Sequence, residues 1–260
     1  MYKKGDTLIE VMLAVGIFSM VAVAVVAVMS NGTAGAQLAL ETTLAREEID
    51  AQAEALRFIQ SSYIADKDTG DDRFAEVWKN ITNSAIDIKN LNSVDQEKIL
   101  QYSPTDCGSL YTPSGISSQH AFIINTHYLG KYTNLDKPSV NANATNKVVA
   151  RVDNDSSKFA QASTYPRLIF GSNASNNSDK DKLIATDSRE DLFRAEGIYI
   201  IAVKDAGTTN IVSEEHKTGD KQAAFYDFYI RTCWYGIGDQ SPSTISTVIR
   251  LYDPKVVRTD

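Results

Sequence analysis

The feature that most constrains this chain is an uncharged, apolar run of residues, 11–29, close to the start of the sequence. As an α-helix the run spans about 28 Å at ~1.5 Å per residue, and the hydrocarbon core of a bilayer is about 30 Å thick. Lys3 and Lys4 precede the run, and the next basic residue is Arg46. Because positive charge stays on the cytoplasmic side, we expect one membrane-spanning helix with residues 1–5 inside and the rest outside.

A cleaved secretory signal peptide is the alternative interpretation of this run. Residues 34–36, Ala-Gly-Ala, have the small side chains of a signal-peptidase site. Against this alternative, the run is long for the apolar part of a signal peptide, and Glu10 stands at its edge. A charged carboxylate deep in lipid costs roughly 2.5–3.5 kcal/mol, so Glu10 is a functional candidate that needs a partner.

The segment 3–11, KKGDTLIEV, together with the apolar run, resembles the N-terminal signal of type IV prepilins and pseudopilins. The resemblance covers about the first 30 residues closely and the first 60 in character. It implies cleavage by a prepilin peptidase between Gly5 and Asp6, and N-methylation of the new amine at Asp6. It also implies that Glu10 pairs with the terminal amine of a neighbouring subunit during filament assembly.

The electrostatics of a buried carboxylate agree with that role for Glu10. Opposite charges attract strongly in a low dielectric, whereas a single charge left unpaired is penalised, so Glu10 would set the register between subunits. On an isolated anchor helix Glu10 would instead reach the lipid headgroups. The family usually has Phe where this chain has Asp6, and an acid beside the new amine competes with Glu10 for it.

The segment after the apolar run predicts a stalk helix over residues 31–65. Gly32 and Gly35 each weaken a helix by about 1 kcal/mol relative to Ala, so we expect a loosened stretch at residues 31–35. From residue 36 a helical period returns, which predicts an amphipathic helix packed on a sheet. Its stripe is formed by Leu38, Ala45, Ile49, Gln52, Leu56, Ile59 and Tyr63.

Residues 66–260 are predicted to form an extracellular head, so the fold class is α+β: a long N-terminal helix packed on a head with an antiparallel β-sheet. A second helix is expected over residues 72–90, with Phe74, Val77, Trp78 and Ile81 on one face. The β runs expected after it are 121–128, 147–152, 167–170, 197–204, 223–234 and 244–252. The last three are joined by turn-rich loops, which indicates an antiparallel meander.

Because successive side chains of a strand point to opposite faces, the sequence of residues 223–234 predicts which of them share a face. Tyr226, Phe228, Ile230 and Trp234 share one face, and Asp227 and Arg231 share the other.

Several segments are predicted to be turns or loops. The acidic residues 66–72 invite a calcium interpretation, but the glycine and the final carboxylate do not fall at EF-hand positions, which favours a solvated turn. Residues 236–238, Gly-Ile-Gly, indicate a hairpin turn. Residues 138–182 are rich in Asn, Ser, Asp and Thr, and we expect this stretch to form exposed, mobile loop.

The chain has two cysteines, Cys107 and Cys233, both on the side of the membrane where disulfides persist. A bond between them closes a loop of about 126 residues, for which chain entropy gives roughly 4–5 kcal/mol. Two inert thiols and bonds between subunits are the alternatives. Pilin heads often carry a disulfide that holds their C-terminal part, so the resemblance implies the intrachain bond.

Composition and motifs argue against several classes of function. The net charge of -7 disfavours nucleic acid as a partner, because phosphate binding needs a basic face. Three histidines and two cysteines supply no dense set of metal ligands, and the sequence has no hydrolase, metalloprotease or nucleotide-loop motif. We therefore expect no enzyme activity, no metal and no cofactor.

These patterns together predict a structural subunit of a type IV pilus or related filament, supporting attachment, twitching motility or DNA uptake. The expected partners are other pilin subunits, the prepilin peptidase, an inner-membrane assembly platform, and the lipid bilayer before assembly. The expected location is the membrane first and the cell-surface pilus after assembly. The large head favours a minor pilin. The alternatives are a pseudopilin of a type II secretion-like machine and an adhesin-like binding head on a membrane anchor.

Overall fold

The computed structural model describes residues 6–69, 73–88, 91–105, 107, 120–133, 148–151, 162–170, 193–205 and 225–252. The helices are α1 (Asp6–Thr69), α2 (Arg73–Asn83), α3 (Ser93–Leu100) and α4 (Thr126–Thr133). The strands are β1 (Ile86–Asp87), β2 (Ala121–Ile124), β3 (Val149–Arg151), β4 (Arg167–Phe170), β5 (Phe193–Glu196), β6 (Ile198–Asp205), β7 (Phe225–Trp234) and β8 (Ser243–Tyr252). The chain is therefore α+β, with a long N-terminal helix and a head built on an antiparallel sheet, as predicted.

Two compact units divide the chain, residues 1–43 and 44–260. The described part of the first unit is the N-terminal portion of α1. The second unit contains the rest of α1 and the sheet.

Helix α1 runs without interruption through residues 31–35, so the expected loosening there was wrong. Thr33 Oγ1 donates to the carbonyl oxygen of Met29 at 2.8 Å, as helical side chains do. Two glycines cost about 1 kcal/mol each, whereas ending the helix would forfeit several backbone hydrogen bonds and require a second nucleation. The propagating helix therefore outweighs the glycine penalty.

The main sheet has the strand order β3-β2-β6-β7-β8, with β1 added in parallel to β6. Strands β6, β7 and β8 pair antiparallel in sequence order, which confirms the predicted meander. Gly238 has φ of 86° in the connection between β7 and β8, so the predicted hairpin turn is also confirmed. Strands β4 and β5 form a separate antiparallel pair.

The two faces of the main sheet bury different sets of side chains. Phe228 and Ile230 of β7 join a core formed with α1 and α2, whereas Tyr229 joins a core on the opposite face. A third, small cluster contains Ala45, Ala162 and Trp234. Because both faces are covered, β7 is buried along most of its length rather than alternating between core and solvent.

The predicted second helix is present with its four apolar residues buried, but it ends at Asn83 rather than at residue 90. The chain turns at Ser84 and enters β1, a two-residue strand too short to be recognised from a pattern. The β run predicted over residues 121–128 is split, because α4 begins at Thr126. Asn125 Oδ1 accepts a hydrogen bond from the backbone nitrogen of Tyr128 at 2.9 Å, and such capping starts a helix.

Some predictions fall on residues outside the described ranges. These are residues 1–5, residues 70–72 of the acidic turn, and most of the polar segment 138–182. The prediction of a turn was wrong for residues 66–69, which are the last residues of α1. The prediction of exposed loop was wrong for residues 148–150 and 162, which are buried in or beside the sheet.

Candidate membrane and assembly segment

The N-terminal part of α1 presents an extensive apolar surface, with Glu10 as its one acidic residue among residues 8–29. From residue 8 to residue 29 its large apolar side chains are between 51% and 76% exposed. They are Leu8, Ile9, Val11, Met12, Leu13, Val15, Ile17, Phe18, Met20, Val21, Val23, Val25, Val26, Val28 and Met29. A surface of this extent marks contact with a membrane or with other proteins, since water-soluble surfaces rarely carry large apolar patches.

Among the described residues, α1 is the one helix that is long and apolar enough to cross a bilayer, and its apolar window is not covered by the rest of the chain. Apolar residues surround this part of the helix on all sides, as in a membrane span. The chain is therefore compatible with a single-pass membrane protein.

The predicted cleavage and assembly residues lie at the start of this helix. Asp6 is the first residue of α1, and Glu10 lies one turn later with its side chain exposed. Gly5 and the side chain of Asp6 lie outside the described structure. Positions 6 and 10 are neighbours on the helix surface, so a partner charge placed near one of them is near both.

The C-terminal part of α1 is anchored in the head by a buried stripe. Ala45, Ile49, Leu56 and Ile59 are buried, as the predicted period requires. Leu38 is 52% exposed, so its place in the predicted stripe was wrong. Arg57 and Glu54, three residues apart, form an ion pair on the exposed side of the helix. This half of the helix therefore has one face in the core and one in solvent.

Gln52 is a buried polar member of that stripe, and its role is not visible in the sequence. Its Nε2 donates to the carbonyl oxygen of Ile124 at 2.9 Å, and its Oε1 accepts from the backbone nitrogen of Ile124 at 2.8 Å. Ile124 is the last residue of β2, beyond the positions at which β2 pairs with β6. Ile124 is paired with Val149 of β3, and on its other side the side-chain amide of Gln52 satisfies both of its backbone groups in place of β6.

Gln60 makes a related contact with β8, an edge strand of the sheet. Its Nε2 donates to the carbonyl oxygen of Tyr252, the last residue of β8, at 2.7 Å. Helix α1 is therefore attached to the sheet by side-chain amides as well as by apolar packing.

Cys107 and Cys233 are joined in a disulfide, with their Cα atoms 5.4 Å apart. Of the alternatives considered for the two cysteines, the intrachain bond is confirmed. Gly197 lies beside the bond with φ of +69°, and its carbonyl oxygen accepts from the backbone nitrogen of Cys233 at 2.7 Å. A Cβ at position 197 would come within 2.0 Å of the Cys233 carbonyl oxygen, so the position requires glycine.

Two arginines, the half-buried Arg151 and the fully buried Arg231, were not recognised from the sequence as structural residues. Arg151 donates to the Oδ1 of Asn80 at 2.7 Å and to the Oγ of Ser84 at 2.5 Å, close to the C-terminal end of α2. Burial lowers the pKa of Arg151 to about 10, which still leaves it charged at neutral pH. Arg231 is fully buried against α3 rather than on a solvated face.

Burial also raises the pKa of Tyr102 and of Tyr229, whose rings lie beside Arg231. For Tyr102 the neighbouring Tyr199 raises the pKa further, and for Tyr229 the charge of Asp227 does so. Both phenols are therefore neutral at physiological pH, and they contribute packing and ring contacts rather than charge.

The histidines show no catalytic arrangement within the described residues. The Nδ1 of His120 lies 2.7 Å from the carbonyl oxygen of Ser84, a structural contact. The side chain of His127 and all of His216 lie outside the described residues. The described part of the chain contains no cluster of three or more His, Cys, Asp or Glu residues suited to a metal ion.

Comparisons with protein-family models, curated protein sequences and solved structures find no match to this chain. The interpretation of residues 3–11 therefore rests on the sequence motif and on the helix that follows it.

Proposed function

We propose that this protein is a structural subunit of a type IV pilus or related filament that is held in the membrane by α1 before assembly. The observation that carries the proposal is the motif KKGDTLIEV at residues 3–11, placed directly before an uncovered apolar helix. The same helix continues into the head as a packed element. One continuous helix thus has an apolar surface suited to lipid in its N-terminal part and a face packed in the head in its C-terminal part.

The exposed apolar surface of α1 suits transfer from lipid to a bundle of identical or related helices. Lipid tails are as apolar as the helix, so helices in a membrane associate through packing and polar contacts rather than through hydrophobic burial. A filament core of such helices would replace lipid around the same side chains. Glu10, the acidic residue at the edge of this surface, would then select the register through a charge on the neighbouring subunit.

The surface of the head would distinguish this subunit from other pilin subunits. Residues 44–260 form one compact unit with cores on both faces of the sheet. A head of this size leaves surface beyond what neighbouring subunits require. This favours a minor pilin, assembled with other pilin subunits by a prepilin peptidase and a membrane platform.

The test of processing and location is mass spectrometry of the N-terminal peptide from native protein in sheared surface filaments. We expect a peptide that begins at Asp6, and its mass also reports methylation. A chain that still begins at Met1 and stays in the membrane would overturn the proposal. Cleavage near Ala36 would indicate a secreted protein instead. Correct processing without recovery in long surface filaments would identify a pseudopilin.

The test of the assembly role is the substitution Glu10→Ala, with Ser19→Ala as the matched control. The hydroxyl of Ser19 already donates to the carbonyl oxygen of Val15 at 2.7 Å, so its loss leaves no polar group unsatisfied. We expect Glu10→Ala to insert in the membrane normally but to be depleted from filaments, and Ser19→Ala to assemble like the natural chain. Normal incorporation of Glu10→Ala would refute the register role.

A further inference from the structure

One segment of the head covers the outer face of the sheet, opposite the face that packs on α1 and α2. We call residues 91–105 together with Cys107 the strap. Helix α3 lies within it, and its buried side chains are Asp95 and Ile99. Val94 and Leu100 of the same helix are more than 60% exposed. The strap thus brings little apolar surface to the contact, chiefly Ile99 with the half-buried Leu91 and Tyr102.

Helix α3 is too short to be stable without tertiary contacts. It has eight residues, and isolated helices below about 12 residues are marginal in water. Its start is capped locally, because Asn92 Oδ1 accepts from the backbone nitrogen of Asp95 at 2.8 Å. The cap satisfies the first turn but does not attach the helix to the sheet.

Arg231 of β7 attaches the other end of α3. Its guanidinium donates to the carbonyl oxygens of Lys98 and Ile99, which belong to the last turn of the helix. Such carbonyls have no helical partner, and a cation there is favoured by the helix dipole. The guanidinium also lies over the rings of Tyr102 at 4.9 Å and Tyr229 at 5.5 Å. One charged side chain thus joins the strap to the sheet, and the ring of Tyr102 also packs edge-on against Tyr199 of β6, with the ring centroids 6.2 Å apart.

The disulfide attaches the end of the strap to the same strand. Cys107 is bonded to Cys233, two residues after Arg231 on β7. Residues two apart on a strand point to the same face, so both attachments lie on the outer face of the sheet. Both cysteines are buried, at 1% and 2% exposure, so a reductant in solution reaches the bond only after a local opening of the head.

We propose that the strap opens as a unit from the outer face of the sheet while the core on the α1 face stays folded, and that the Cys107–Cys233 bond and Arg231 are two attachments that help to keep it closed. The strap is then locked in an oxidising compartment and released by a thiol reductant. In that reaction a dithiol transfers two electrons and two protons to the disulfide, giving two cysteine thiols and the cyclic disulfide of the reductant. Release uncovers the apolar outer face, which includes Ile123 and Ile201.

The experiment measures how fast dithiothreitol reduces the full chain in detergent micelles without denaturant. Ile99→Val in α3 is compared with Ile81→Val in α2, because both isoleucines are fully buried in short helices on opposite faces of the sheet. If the bond becomes accessible through strap opening, Ile99→Val should speed reduction by about two- to tenfold. Ile81→Val should leave the rate within about 1.5-fold, since α2 does not move. Equal acceleration by both variants would show that reduction requires global unfolding, and would overturn the proposal.

Hydrogen exchange of the natural chain after reduction and alkylation gives the second readout. We expect peptides from residues 91–105 to lose their protection, while peptides from α2 and from α1 residues 49–59 keep theirs. Loss of protection in all of these peptides would show that the disulfide holds the whole head together. Unchanged protection of the strap would show that the disulfide is not one of its attachments. Either result would refute the proposal.

Discussion

The two halves of helix α1 have the same backbone conformation and opposite surroundings. In residues 11–29 apolar side chains lie on every side of the helix and stay exposed, whereas in residues 45–59 one face of the helix is buried in the head and the opposite face is exposed. A helix that is apolar all round requires an apolar environment all round, and a helix with one stripe requires one neighbour. The first half of α1 is therefore suited to lipid or to other helices, and the second half to packing on its own head.

The largest expected contrast between the halves comes from the same substitution made in each. Leu56 is fully buried in the head, and Leu56→Ala should lower the free energy of unfolding of the head by about 2–5 kcal/mol. Leu13 is 61% exposed, and Leu13→Ala should leave the head unchanged. Urea unfolding followed by tryptophan fluorescence reports the head alone, because both tryptophans, Trp78 and Trp234, are in its cores. A similar loss in both variants would break the comparison.

A glutamine in each half gives the next contrast. Gln52→Ala leaves the backbone nitrogen and carbonyl of Ile124 without their side-chain partner, which should cost about 1–3 kcal/mol of head stability. Gln37→Ala, at an exposed position in the first unit, should change stability by less than about 0.5 kcal/mol. The same urea titration measures both variants. If Gln52→Ala were neutral, the amide bridge to β2 would not stabilise the head.

The glycines of the first unit should respond in the opposite direction. Gly32 and Gly35 have no heavy atom within 4 Å of a built Cβ, so Gly→Ala at both positions should stabilise the helix by about 1 kcal/mol per site. Slower hydrogen exchange in residues 28–38 in micelles would show this, with tryptophan fluorescence of the head unchanged. Faster exchange in the double variant would contradict the continuous helix at these positions.

The smallest expected effect is a pH dependence from Glu48 in the second half of α1. Burial raises the pKa of Glu48 above its ordinary value of 4.5, and the charge of Glu47 raises it further. A carboxyl whose pKa is higher in the folded state makes the head less stable as the pH rises through that folded pKa. Glu48→Gln removes this loss, so we expect a Tm about 1–2 °C higher at pH 7.

The pH profile of that variant provides its own control. The advantage of Glu48→Gln should disappear below pH 4.5, where Glu48 is protonated in the folded and the unfolded state alike. An advantage that is equal at pH 4 and pH 7 would assign the effect to packing rather than to charge.

The sequence by itself determined the elements whose patterns are local and periodic. The apolar run 11–29, the buried face of α2 and the meander of β6, β7 and β8 each repeat a signal over many residues, so neighbouring positions support one another. The motif at residues 3–11 is also local, and the proposed function depends on it.

Tertiary structure alone decided the features that depend on residues distant in the chain. Arg231 alternates with apolar residues like a solvated side chain, and it is buried because α3, more than 130 residues earlier, ends beside it. The burial of Gln52 is explained by its hydrogen bond to the backbone of Ile124 in β2. The sequence left three possibilities open for the cysteines, and the fold decided among them by bringing Cys107 next to Cys233. A local sequence pattern reports the conformational preference of one or two turns of the chain. Whether a polar side chain is buried depends instead on which hydrogen-bond partner the folded chain brings to it.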